Sequence, residues 1–259
     1  MDKDDILRIL DNPDFIPGIH NYCDSWCERC TMTSRCSSYA IEHEQFSDKE
    51  SRNPGNEKFW DKISEMFRIT LEMLTDMAEE KGIDLNSVDD SAYTERDKVT
   101  RAARENECVE MAKQYGKDVE LWFENTKDIL KEKETELRRH FEMDIPGMNP
   151  VKDSADLNDV IEVIRWYQHQ IYVKLMRAVT GRLEGFQDEI EDMPKDYDGS
   201  AKVALLGIDR SVGAWGLMLQ HIPAEESSIL DILVLLERLR KKTETFFPNA
   251  RNFKRPGFD

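Results

Sequence analysis

Apolar positions recur along this chain at intervals of three and four residues, and no clear alternation at two is found. That period marks helices with one buried face. Phe59, Ile63, Met66, Thr70, Met73 and Met77 form the first long stripe. Trp60, Phe67, Leu71 and Leu74 widen it, and Gly82 closes it as a C-cap. The methionines read as core filler. A second helix is expected over residues 91–143, with Val109, Ala112, Tyr115, Val119, Trp122, Ile129 and Leu137 on its face and Pro146, Gly147 and Pro150 as its stop. A third is capped at Asp153 or Ser154 and carries Leu157, Val160, Ile161, Ile164, Ile171, Leu175 and Val179. A fourth covers residues 200–221, ahead of Pro223. A fifth is capped near Glu225–Ser228 and reaches Phe247, ahead of Pro248. The acidic stretch 187–198 reads as a solvated turn, because it lacks the alternating ligands and glycine of an EF-hand loop. Long helices with short connections predict mostly antiparallel neighbours. The expected fold is all-α: a four- to five-helix antiparallel bundle.

The first 55 residues break this pattern. A short helix over residues 5–10 is cut off by Asn12-Pro13 and Pro17-Gly18. Another is expected over residues 38–46, and residues 47–56 form a polar linker. Two regions follow: an N-terminal Cys-rich segment, 1–55, and a helical domain, 56–259.

That segment contains the strongest chemical signal, HNYCDSWCERCTMTSRCSSY, in which Cys23, Cys27, Cys30 and Cys36 are spaced C-x3-C-x2-C-x5-C. Four thiols this close can converge on one centre without a long loop to close, and thiolates are soft donors that suit zinc and iron–sulfur clusters. His20 and His43 are alternative donors for one position. Trp26 and Tyr22 flank the ligands and anchor the loop or shield the centre. The fifth cysteine, Cys108, reads as a buried core thiol. The spacing of Cys27, Cys30 and Cys36, followed by Tyr39, resembles the iron–sulfur loop of endonuclease III-type DNA glycosylases and of some nucleases. It implies a [4Fe–4S] cluster held by these cysteines. Cys23 stands nearer to Cys27 than the upstream cysteine of that loop, and no glycosylase or nuclease motif accompanies it. The box CDSWCERC ahead of a helical region also resembles uncharacterised bacterial helical proteins, which implies no activity. The Cys23-x3-Cys27-x2-Cys30 spacing matches that of radical SAM enzymes, but no alternating strand–helix pattern follows. An iron–sulfur centre is the first reading and zinc the alternative, in a redox, sensing or structural role.

A second candidate site lies on the predicted bundle. Glu162, Trp166, His169, Val173 and Met176 share one helical face, and Asp209, Gly213 and Gly216 share another. Glu162, His169 and Asp209, with Arg165 or Arg210, would form a polar pocket for a metal or a small substrate, making the protein a helical-bundle enzyme. The competing reading is a structural hydrogen-bond network. Glu136 and His140 lie in the charged run KEKETELRRH and read as a solvated face. No phosphate-binding loop, Gly-x-Ser-x-Gly elbow or His-Glu-x-x-His motif occurs.

Charge narrows the partners. The formal net charge of −17 repels phosphate backbones, which argues against general nucleic-acid binding. The cations Arg238, Arg240, Lys241, Lys242, Arg251, Lys254 and Arg255 are expected at a helix C-terminus, where the dipole favours them. No run of ~20 apolar residues is present, so no membrane insertion is expected. The early acidic residues do not resemble a secretory signal, and a reducing cytoplasm is the expected location. A basic protein is the partner that a zinc-stabilised acidic scaffold would take.

Overall fold

A computed structural model describes residues 2–85, 90–143, 149–185 and 195–259. Among these residues the secondary structure is helical, with no strand. The chain divides into two compact units: residues 1–96 with 254–259, and residues 97–253. The observed division therefore falls near residue 96, where the sequence pattern had placed it at 55.

The first unit holds α1 (Lys3–Leu10), α2 (Ser37–Gln45) and α3 (Glu57–Glu80). Asp2 caps α1 by accepting from the Asp5 backbone N–H, and Asn56 caps α3 by accepting from Lys58 N–H at 3.0 Å. Lys3 pairs with Asp76 and Lys58 with Glu50, and the Phe46 and Phe59 rings lie 5.7 Å apart. These contacts bring α3 together with the segment before it. Only Ile69 and Ala78 of α3 are buried. The expected core stripe is largely open to water: Phe67 is 73% exposed and Leu71 65%.

The second unit begins in α4 (Asp90–Arg104) and contains α5 (Glu107–Asn125), α6 (Lys127–Met143), α7 (Pro150–Glu184), α8 (Asp196–His221) and α9 (Glu226–Phe246). The single helix expected over 91–143 is three helices. Asn106 accepts from the Cys108 N–H at 3.0 Å and starts α5. Its end is marked by Thr126, whose hydroxyl donates to the Trp122 carbonyl at 2.7 Å. Pro150, read as a stop, instead opens α7 at the position where a missing N–H costs nothing, with Asn149 as cap. α8 starts earlier than expected, at Asp196. Within the acidic stretch, residues 187–194 lie outside the described residues.

The core is assembled along α7, which packs on both α8 and α5, while α9 packs on α5 and α8. Leu157, Val160, Ile164, Tyr167, Ile171, Leu175 and Ala178 are buried at spacings of three and four. Trp215, fully buried, meets Trp122 edge-to-face at 5.0 Å and donates from Nε1 to the Tyr115 hydroxyl at 3.2 Å. Trp122 in turn donates to Ser228 Oγ at 3.0 Å, so both indole N–H groups are satisfied. Burial pushes the Tyr115 hydroxyl up to about 12, which keeps it neutral. Glycine permits close approach at two places. A Cβ on Gly116 would lie 3.2 Å from the Gln168 carbonyl, and one on Gly207 3.0 Å from the Tyr167 ring. Gly213 and Gly216, singled out in the sequence, face open space.

Trp215→Ala should destabilise this unit by ~3–5 kcal/mol, through lost burial and the cavity left behind. Gly207→Val should cost ~1–3 kcal/mol by overpacking against Tyr167 and Ile171. Denaturant unfolding followed by helical circular dichroism measures both. Wild-type midpoints in both variants would contradict the packing described.

Candidate metal centre

The four cysteines of the box come together in the first unit. Cys23, Cys27, Cys30 and Cys36 line one tight cavity of about 20 Å³, with His20, Asp24, Trp26, Met32, Tyr39 and Phe258 among its walls. None forms a disulfide.

Tight turns produce this arrangement. Gly18 adopts a left-handed backbone (φ 70°) and opens the 3₁₀ turn Ile19–Tyr22, which buries the Ile19 side chain. Ser25 is left-handed at φ 58°, uncommon for a residue with a Cβ, and reverses the chain inside the x3 spacer. Asp24 accepts from the Trp26 N–H at 3.3 Å across the same bend. Cys27–Arg29 and Thr33–Arg35 are further 3₁₀ turns, and Cys30 and Cys36 follow directly after them. The Ile16 N–H donates to the Arg35 carbonyl at 3.0 Å and ties the two ends of the loop. Cys36 is the N-cap residue of α2, which fixes it at the start of that helix.

The electrostatics around the sulfurs are mixed. The Met32 backbone N–H donates to Cys30 Sγ at 3.4 Å, a contact that stabilises negative charge on sulfur. Cys23 donates its S–H to the His20 carbonyl at 3.3 Å. The Cys27 thiol is pushed up to about 11, first by partial burial and then by the negative charges of Glu42, Cys23, Cys36 and Cys30. Without a cation, negative charge on the neighbouring sulfurs therefore opposes ionisation of Cys27. A bound cation would reverse that sign, since coordinating thiols are deprotonated outright. The donor set and the shared cavity suit a thiolate-bound metal. The side chains as they lie are not closed on an ion: among the described residues, no three or more His, Cys, Asp and Glu side chains form a group that could hold one.

The alternative donors are placed differently. His20 lines the cysteine cavity. His43 stacks on Tyr39 with ring centroids 5.8 Å apart and lines a neighbouring cleft of about 840 Å³ between α2 and α3, to which Cys27 and Glu42 also contribute. Trp26 is covered by the Arg29 guanidinium, 4.1 Å from its ring centroid. Cys108 is buried, as expected, and burial raises its thiol too.

The second candidate set has not assembled. Glu162 and His169 lie on an exposed side of α7, where Val173 is 54% exposed. The core face of α7 is rotated away from them, onto Ile164, Tyr167 and Ile171. His169 faces Glu120 of α5 at 3.7 Å. Asp209 instead receives Arg251 at 2.6 and 3.2 Å and approaches Arg240 at 3.7 Å. Arg210 reaches the Tyr167 hydroxyl, and Arg165 lies 3.8 Å over the Phe123 ring. These are separate structural contacts. Several of the cations expected at a helix C-terminus are likewise paired: Lys242 with Glu107, Lys241 with Glu237, Arg251 with Glu244.

Spacing could not have shown two participants. Phe258 comes from the far end of the chain. Glu42 was visible only as one polar position on a short helix. No protein-family profile, curated protein or solved structure matches the chain. No helix among the described residues is long and apolar enough to cross a membrane.

The raised Cys27 thiol carries a pH signature. The folded metal-free protein holds that proton to about 11, against 9.0 for an ordinary thiol. Above pH 9 the unfolded chain therefore binds fewer protons than the folded one. The contribution of Cys27 to stability is fully present below pH 9 and is lost as pH rises towards 11. Denaturation midpoints of reduced, metal-free protein across that range measure it. Cys27→Ser should flatten the decline, and an unchanged slope would exclude Cys27 as its source.

Proposed function

We propose that this protein binds a metal centre through the thiolates of Cys23, Cys27, Cys30 and Cys36, presented by an N-terminal segment of a chain that also forms an antiparallel four- to five-helix bundle. The single observation behind this reading is that all four cysteines of one short motif line one cavity. The resemblance of the last three to a glycosylase cluster loop makes a [4Fe–4S] cluster the first assignment. When bound, such a cluster supplies one-electron transfer, and the role is then redox or sensing.

The chain's own residues would serve this centre in distinct ways. Met32 N–H would temper charge on Cys30, and the start of α2 positions Cys36. Trp26, Tyr39 and Phe258 reduce water at the site, which influences the potential of any redox centre. Glu42 opposes further negative charge at Cys27.

Zinc is the second reading, because four thiolates in one short motif are also a donor set that zinc accepts. A zinc centre would be structural, with all four positions closed by protein, and the acidic chain would act as a scaffold for a basic protein.

Anaerobic purification with elemental analysis and an absorption spectrum decides between them. A brown protein absorbing near ~400 nm with iron bound supports the cluster; a colourless one with zinc supports the scaffold. Cys27→Ser and Cys30→Ser should each lose the metal while the helical signal of the second unit persists. Wild-type protein that retains neither iron nor zinc after anaerobic reconstitution would remove the proposal.

A further inference from the structure

We propose that residues 255–259 are a cap on the cysteine site, with the Phe258 ring as the wall that governs access to the four thiols. This extends the metal-centre reading, but the cap itself is defined by the cavity and does not need the metal.

Three independent observations carry it. Residues 254–259 group with the first unit although they follow the second in sequence. Within it, Phe258 lines the same cavity as Cys23, Cys27, Cys30 and Cys36. Gly257 then fixes how this segment sits. Its backbone is left-handed at φ 78°, and a Cβ there would stand 2.8 Å from Ile16 Cδ1, 2.9 Å from Ile19 Cδ1 and 3.3 Å from Met32 Cε. Ile19 and Met32 are themselves walls of the cysteine cavity. The segment thus meets the site through a residue for which any side chain is both strained and obstructed.

The cap is also braced from within. Asp259 accepts from the Arg255 backbone N–H at 3.0 Å, from Arg255 Nε at 3.1 Å and from Arg255 Nη2 at 3.0 Å. Both side chains are mostly shielded, at 15% and 19% exposure. The Phe258 N–H donates to the Arg255 carbonyl at 3.2 Å, and the Arg255 guanidinium lies 5.0 Å from the Phe258 ring centroid. A carboxylate gripping both the backbone and the guanidinium of one arginine closes a small loop, and that loop holds the aromatic ring in place. None of these residues supplies a donor to the metal. Their effect is exclusion: the ring takes the side of the cavity from which water, oxidants and chelators would otherwise reach the sulfurs.

The test uses the full chain in two states. In reduced, metal-free protein, iodoacetamide labelling read by peptide mass spectrometry should show the box thiols of Phe258→Ala modified roughly tenfold faster than wild type, with Cys108 unchanged as internal control. Phe258→Leu should restore most of the protection. Asp259→Asn loosens the brace without touching the cavity wall and should give an intermediate rate; it also serves if Phe258→Ala fails to fold. In zinc-loaded protein, a chromogenic chelator should remove the metal faster from Phe258→Ala and Gly257→Val than from wild type. Wild-type labelling rates in both folded Phe258→Ala and Asp259→Asn would overturn the cap. Wild-type protein that binds no metal, with labelling rates still altered by Phe258→Ala, would instead overturn the metal reading and leave the cap standing.

Discussion

The chemistry of the first unit depends on four thiols that share one small cavity. Partial burial, and then the negative charges of Glu42 and the neighbouring sulfurs, make ionisation of Cys27 more costly. The chain tolerates this arrangement in two ways. Protonated thiols behave as small apolar groups, or a cation joins them and converts repulsion into binding. The surrounding turns are consistent with the second state. The Met32 backbone N–H donates to Cys30 Sγ, Cys36 occupies the N-cap position of α2, and Phe258 lines the shared cavity. Little else holds this segment together. It has few buried apolar residues, and the long helix after it buries only two. Small units with sparse cores commonly rely on a metal for stability.

The second unit follows the opposite rule. Its stability lies in aromatic and aliphatic burial along α5, α7, α8 and α9, and the Trp122 and Trp215 indole N–H groups within that core have hydrogen-bond partners. Ion pairs such as Lys242–Glu107 and Lys241–Glu237 lie at the surface and contribute little individually, while Lys174 of α7 and Asp198 of α8 are buried. Asp209 illustrates the difference between a polar residue on a helix and a site. Its carboxylate is already engaged by Arg251 and approached by Arg240.

Helix positions and types were legible because period and caps are local. The face of α7 was read in the right register for most core residues, among them Val160, Ile164 and Ile171. Breaks governed by one side chain were not: Asn106 and Thr126 each end a helical turn that periodicity alone would continue. The rotation of α7 was also misjudged around His169. Trp166 and Met176 made a mixed face look buried, whereas the neighbouring face with Tyr167 and Ile171 buries more apolar surface. For α3, periodicity indicated amphipathicity but not whether anything covers the apolar side. The cysteine box was legible because its members are adjacent in sequence; Phe258 was not, because only the folded chain brings it there.

One absent carbon atom constrains the second unit more than its size suggests. At Gly116 the main chain of α5 rests against the carbonyl of Gln168 with no side chain between them. Two smooth helices can slide along each other by a turn and exchange one set of grooves for the next. Here the only place on that stretch of α5 without a Cβ meets the one carbonyl that requires the gap. Shifting the pair by a single turn would bring a Cβ against that oxygen, at a separation near the 3.2 Å that a side chain on Gly116 would have, so the gap favours one longitudinal setting of α5 on α7.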